Sequence, residues 1–346
     1  MNSRTAARAI PAAELKDLAK RAFVRTGLSD DAAELIADSA VDSDLGGRTS
    51  HGVVRIPGYL AKARSGGIDP AASPVVLHDN GVVFAIDGRD GFGQLALGLA
   101  VDMAVERSRA RGIACGTVRG LNNAGALGYF ARRATRSGQI AIVAGNATPA
   151  MPAFGGRAAA LGTNPLCVAI PAAHGPDPVL DMATSAGSKG SIRQAMRKGT
   201  AIPADWALTI EGIPTTDPKE ALEGLLLPFG GAKGYGIALM VEVLSGVLSG
   251  AGFGDQVRPL GDVASPSNAG AIVITISPEA FMPAAEFGTR LEALLGPIRA
   301  GAPAAGFERV LVPGDRYWME RERRLRDGVE IPEELHRELQ GLASPR

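Results

Sequence analysis

Apolar residues recur at helical spacing through residues 11–25, where Leu15, Leu18, Ala19, Ala22 and Phe23 share one face and Gly27 follows as a stop. Ser29 before Asp30 and Asp31 forms an N-cap with an acidic first turn, and Leu35, Ile36 and Ala40 carry a second helix to the break at Gly46 and Gly47. From Val75 the period shortens, predicting strands over 75–77 and 82–86 around an Asn80-Gly81 hairpin turn. Leu95, Leu99 and Met103 mark a helix over 94–110 that closes at Gly112 and hands over to a strand at 113–118. The hand-over repeats as a helix over 124–137, a stop at Gly138 and a strand at 140–144, with further strands at 166–170, 179–182 and 271–276. This alternation predicts an α/β fold built on a mixed or parallel sheet.

Two stretches break the pattern. Residues 197–228 are interrupted by proline and glycine and read as an extended wrap over the sheet surface. Beyond Gly301 a Pro/Gly/Ala segment leads to the charged run 316–326 and a short helix over 333–342, expected to dock on the N-terminal helices.

Composition narrows the class. With 46% hydrophobic residues in 346, the chain can bury a substantial core. Its 36 basic and 36 acidic side chains cancel, so no global field favours nucleic acid or an anionic membrane. Arg4, Arg8, Glu14, Lys16 and Asp17 leave no room for a signal-peptide core, and the apolar run 237–251 is interrupted by Glu242 and is too short to span a bilayer. Cys115 and Cys167 lack paired spacing for zinc and read as buried thiols of a cytoplasmic protein; no metal is expected. Glycine is the outlier, 45 of 346 without periodicity, which implies many tight turns or close backbone approaches to a ligand.

The densest chemistry lies in 48–59. If that segment is helical from His51, then His51, Arg55 and Tyr59 fall on one face, with Pro57 kinking the helix. Such a face offers one group that exchanges protons near neutrality and handles for an anion, Arg48 standing close by. A solvated helix with a structural histidine is the plainer alternative. Gly230-Gly231-Ala232-Lys233-Gly234 opens an apolar helix and suits a phosphate, although it matches neither a P-loop nor a dinucleotide fingerprint, and a turn chosen for packing is equally open. Gly162-Thr163-Asn164-Pro165 and Asp181-Met182-Ala183 sit at strand ends, where α/β proteins place ligand contacts. His78, His174 and His336 read as surface residues.

Together these segments resemble the malate/L-lactate dehydrogenase family of NAD(P)-dependent oxidoreductases, which is unrelated to the Rossmann-type lactate dehydrogenases. The resemblance runs through Ser50-His51-Gly52-x-x-Arg55-x-x-x-Tyr59, Gly162-Thr163-Asn164-Pro165, Asp181-Met182-Ala183-Thr184-Ser185, Pro214-Thr215-Thr216-Asp217-Pro218, Gly231-x-Lys233-Gly234-Tyr235-Gly236 and Pro313-Gly314-Asp315. It implies a homodimer and a non-Rossmann mixed-sheet cofactor domain over 76–311. A helical domain would form from 1–75 and 312–346 and carry the Ser-His-Gly block. NAD or NADP would serve a small carboxylate substrate, a 2-hydroxy/2-oxo acid or a cyclic 2-imino acid.

Residue by residue, the resemblance implies His51 as acid/base with Ser50 in support. Arg55 would clamp the substrate carboxylate, with Thr163, Arg48 and Tyr59 as further substrate contacts. Ala124, Gly125, Ala126, Leu127, Asp181, Met182, Ala183, Lys233 and Gly234 would line the cofactor. Asn123 stands where the family usually has a histidine, and asparagine hydrogen-bonds a carbonyl without exchanging a proton. Ser191 and Lys189 stand where the imine-reducing branch has aspartate and histidine, and Leu311 replaces a frequent arginine. These departures keep an alternative open, a family member that binds nucleotide or metabolite without turnover. With one retained histidine, reduction is expected to show a single falling pH limb near or below neutrality, from a reference near ~6.5 lowered by Arg48 and Arg55.

Overall fold

The computed structural model describes residues 7–344; Arg4 lies outside them. Strand β1 (Ala7–Ile10) leads into helices α1 (Ala12–Val24) and α2 (Asp30–Leu45). Ser29 caps α2 as its spacing predicts, its Oγ accepting from Ala32 N at 3.3 Å. The expected continuous helix from His51 is not formed. Single 3-10 turns at Thr49–His51 and Val53–Arg55, separated by extended Gly52, precede α3 (Ile56–Arg64). Pro57 therefore sits in the first turn of α3, where a missing N–H leaves no intrahelical bond broken and no kink follows.

The hairpin forms as β2 (Val75–Asp79) and β3 (Val83–Asp87), with Asn80 Oδ1 accepting from Val83 N at 2.7 Å. Then come α4 (Gly93–Arg111), β4 (Ile113–Leu121), α5 (Leu127–Thr135) and β5 (Ile140–Gly145). The chain continues through the short pair β6 (Met151–Pro152) and β7 (Ala159–Leu161), then β8 (Leu166–Ala169) and β9 (Val179–Met182). Helix α5 begins three residues later than its apolar pattern suggests, which leaves residues 122–126 as a loop.

Helix α6 (Lys189–Lys198), β10 (Ala207–Leu208), α7 (Pro218–Glu223) and β11 (Leu225–Leu226) follow. They correct the expectation of an extended wrap: Ile192, Ile202, Ala207, Ala221 and Leu226 bury against Met151 as a small separate core. Helix α8 (Ala232–Glu242) runs into a π turn at Val243–Val247, ahead of β12 (Ala269–Ile276), α9 (Ala284–Arg299) and α10 (Asp315–Asp327).

The main sheet has seven strands in the order β2-β3-β4-β12-β5-β8-β9. Only β3 and β4 pair in parallel, so the sheet is mixed and mostly antiparallel. Alternate residues of β12 face opposite sides: Ala271 and Val273 join the core under α4 and α5, while Ile272 packs with Ala144 and Val241 of α8. Strand β13 (Val329–Pro332) pairs with β1, and α11 (Glu333–Ala343) docks on α1 and α3, so Leu335 and Leu339 share a core with Leu15, Phe23 and Ile36. His336, read as a surface residue, is buried by this docking at 2% exposure. No helix among the described residues is long and apolar enough to cross a membrane.

Candidate active site

The end of α2 delivers Asp44, whose Oδ2 accepts from Val53 N at 2.8 Å. A Cβ on residue 52 would lie 2.0 Å from Asp44 Oδ1, so only glycine lets the two 3-10 turns fold this closely over that carboxylate. Burial pushes Asp44 up to about 7. The turn so fixed carries Ser50, His51 and Arg55. Ser50 Oγ lies 3.0 Å from His51 Nδ1, and Arg55 Nε donates to Ser50 O at 2.6 Å, which closes the loop on itself.

His51 and Arg55 line a cavity of about 260 Å³ at one end of the sheet. Its walls are the loop after β4, the residues that follow β5, Thr163 and Pro165 before β8, and Ala269, Gly270 and Ala271 of β12. These ends coincide because β12 runs antiparallel to both neighbours: its start pairs with Leu121 of β4 and with Gly145 of β5.

The two arginines of the loop differ. Arg48 is engaged, with Nη1 2.9 Å from Asp181 Oδ2 and Nη2 donating to Asp181 O at 2.6 Å, while Asp181 Oδ2 also accepts from Gly128 N at 3.0 Å at the start of α5. Arg55 makes its one side-chain hydrogen bond through Nε, and no carboxylate pairs with it among the described residues, so both terminal nitrogens remain available to an anion. Burial, with the Arg55 and Arg48 charges adding to it against Asp181, lowers His51 to about 4. Asn123 lines the same cavity; its Oδ1 accepts from Tyr59 OH at 2.5 Å and Gly125 N at 3.0 Å, which leaves Nδ2 as its free polar group.

Of the residues singled out in the sequence, His51, Arg55, Asn123, Ala124, Gly125, Leu127 and Thr163 come together on this cavity. Ala126 is buried beside it as the N-cap of α5. Tyr59 points into the core at 2% exposure, and burial raises its hydroxyl to about 12, so it acts on Asn123 rather than on the cavity. Asp181 joins through Arg48 and α5, with Met182 and Ala183 half-buried after it. Lys233 and Gly234 open α8, and the preceding Gly230 and Gly231 line a separate groove of about 430 Å³ with Phe154 and Pro152. Ser50 also lines a cleft of about 570 Å³ that includes Ser188 and Ser191 at the start of α6.

No pattern along the chain marks Arg258, Asn146 or Gly270, all of which line the cavity. Arg258 is exposed and its guanidinium makes no ion pair among the described residues.

The malate/L-lactate dehydrogenase family pattern matches residues 10–340. L-sulfolactate dehydrogenase of Methanocaldococcus jannaschii is 37% identical over 318 residues, 92% of this chain and 91% of that protein. Its structure superposes with a TM-score of 0.92, covering 97% of this chain and 96% of that one at 36% identity. The Delta(1)-pyrroline-2-carboxylate/Delta(1)-piperideine-2-carboxylate reductase of Pseudomonas syringae pv. tomato is 35% identical, covering 95% of both chains. Ureidoglycolate dehydrogenase (NAD(+)) of Escherichia coli strain K12 is 32% identical, covering 94% of this chain and 93% of that protein. The chain belongs to the malate/L-lactate dehydrogenase family. It is an NAD(P)-dependent oxidoreductase.

Proposed function

We propose that this enzyme interconverts a small 2-oxo acid and its 2-hydroxy acid, with preference for acids that carry a second anionic group. The observation that carries the reading is the convergence of His51, the unpaired Arg55 and the Asn123 amide on one cavity, with the unpaired Arg258 on its rim.

The cavity fits one end of a dinucleotide beside a small acid. Its walls include Ala124, Gly125, Gly145, Ala147, Ala269 and Gly270, whose small side chains admit a flat ring, while about 260 Å³ is too little for a whole dinucleotide. Residues 124–127 would hold the ring end, and Asp181, Met182, Ala183, Lys233 and Gly234 would hold the rest. When bound, the nicotinamide supplies or accepts the hydride.

The chain's own residues bind, orient and move one proton. Arg55 grips the C1 carboxylate through Nη1 and Nη2, and Asn123 Nδ2 donates to the oxygen at C2. With its Nδ1–H donating to Ser50 Oγ, His51 exchanges the proton at Nε2, giving it to the C2 oxygen in reduction and taking it from the hydroxyl in oxidation.

The low value at His51 fixes the sign of the pH dependence. Neutral imidazole, the base for oxidation, predominates above about 4, so kcat/KM for oxidation should rise through that pH and stay level across neutrality. The acid for reduction is lost over the same range, so log kcat/KM for reduction should fall with a slope near one above about 4, lower than the arginines alone suggest because burial adds to them. A substrate carboxylate on Arg55 offsets part of that charge, and kcat for reduction should therefore fall at higher pH than kcat/KM. Initial rates in both directions from pH 4 to 9 decide this: reduction that is level across the range, with an isotope effect showing chemistry to be limiting, removes His51 as donor.

The enzyme also acts as a homodimer in this reading. Ile237, Met240, Val243, Leu244, Val247 and Leu248 form an exposed apolar stripe along α8 and its π turn, as a surface covered by a second copy would. Light scattering should give the dimer mass for the wild type and the monomer mass for Met240→Glu; a monomeric wild type refutes it.

A further inference from the structure

Glu242 ends α8 and is buried, 4% exposed, in an otherwise apolar run. Its carboxylate meets three N–H groups and no cation among the described residues. Oε1 accepts from Asn146 Nδ2 at 3.2 Å and Gly254 N at 2.9 Å, and Oε2 accepts from Asn164 Nδ2 at 2.5 Å. Both asparagines pass the contact on. Asn164 Oδ1 accepts from Ala147 N at 3.1 Å, and its Nδ2 also donates to Ala238 O at 2.9 Å. Asn146 clasps Gly270 from both sides, with Oδ1 accepting from Gly270 N at 2.8 Å and its backbone N donating to Gly270 O at 3.2 Å.

Ala147 and Gly270 line the cavity that holds His51 and Arg55. Gly270 is also where β12 breaks register with β4, between Ala269 and Ala271. A Cβ there would lie 1.9 Å from Ser245 O, so the π turn that follows Glu242 presses directly on this point.

We propose that Glu242 is a positioning residue for the reaction, fixing the backbone of Ala147 and Gly270 through Asn164 and Asn146 and so setting the cavity in which His51 and Arg55 act. The inference rests on the active-site reading of that cavity. A carboxylate is required because each oxygen faces only donors. A glutamine Nε2 at the Oε1 position opposes Asn146 Nδ2 and Gly254 N. At the Oε2 position it opposes Asn164 Nδ2, and turning that amide sets its NH2 against Ala147 N. Either way the mismatch reaches the cavity backbone.

E242Q and the exchanged pair E242Q/N164D test this, since in the pair the introduced glutamine donates to the new carboxylate, which still accepts from Ala147 N, while the donation to Ala238 O is exchanged for a carboxylate–carbonyl contact that holds recovery below wild type. Displacement of reacting groups on the scale of 1 Å costs up to ~10²-fold, so E242Q should lower kcat about 30-fold with KM for the 2-oxo acid within about threefold, and the pair should recover to within about tenfold of wild type. NADH or NADPH binding, read from nicotinamide fluorescence, should weaken about tenfold in E242Q and recover in the pair. E242Q with kcat within about threefold of wild type, or a folded pair no better than E242Q, overturns the proposal. If E242Q shows no thermal unfolding transition, the pair alone decides: folded and active supports the proposal, while unfolded, or folded with kcat about 30-fold down, overturns it. His51→Ala assayed alongside separates the two readings, because full activity there removes His51 as the proton carrier, whereas the fluorescence result for Glu242 does not depend on His51.

Discussion

His51→Ala is expected to lower kcat/KM at least about 10²-fold in both directions, the usual contribution of a positioned proton donor or acceptor. The loss should fall on chemistry. His51 is half-buried on a one-turn helix, and its side chain makes a single hydrogen bond, to Ser50, so its removal leaves the Asp44 and Arg55 contacts that hold the loop. Thermal unfolding should therefore stay near that of the wild type. Imidazole added to the variant should restore part of the rate, with a pH dependence set by free imidazole instead of the His51 ring. A variant that retains its rate within about tenfold leaves solvent or another side chain as the proton carrier.

Arg55→Ala should raise KM for any 2-oxo acid about 10- to 100-fold, because hydrogen bonding to a charged group contributes about 1.5–3 kcal/mol and both terminal nitrogens of Arg55 are free on the cavity lining. Since the carboxylate is held alike in the ground and transition states, kcat should change far less. Arg55→Lys should recover only part of the binding, as an ammonium lacks the planar fork. Arg258→Ala separates substrates: KM should rise about tenfold for acids with a second anionic group and stay unchanged for 2-oxo acids with only one. Equal effects on both classes would assign Arg258 to general attraction and remove the preference for a second anion.

The elements with strong local signals were legible along the chain. The Ser29 cap, the Asn80-Gly81 hairpin and the α4-to-β4 hand-over each rest on residues adjacent in sequence. The sheet's pairing was not, because its central strand β12 comes from residues 269–276 and joins β4 and β5 across more than a hundred intervening residues. The lobe at 197–228 was missed because its strands have two residues each and its helix six, too short for a period to show.

In the site, His51 and Arg55 stood out by chemistry and spacing, although their helix dissolved into two turns once Asp44 met Gly52. Arg258 lies in an irregular loop where a lone basic residue carries no pattern. Glu242 did leave a trace, as the single acid in an apolar run, but its partners Asn146 and Asn164 come from other strand ends and reach it only in the folded chain.

The choice between turnover and silent binding, raised by Asn123 in place of a histidine, is sharpened by the hydrogen bonds of that residue. Tyr59 and Gly125 occupy Oδ1, so the group Asn123 has left to offer a substrate is its amide donor, and in the proposed reaction the proton falls to His51. This division of labour is tested by single-turnover reduction of a 2-oxo acid with NADH or NADPH dideuterated at C4, so that either face delivers label, following deuterium at C2 of the product by mass spectrometry for wild type and His51→Ala. Wild type should give one deuterium at C2, and His51→Ala a rate at least about 10²-fold lower under the same conditions. Product without deuterium at C2, no product with any 2-oxo acid tried, or equal rates in the two proteins would contradict it.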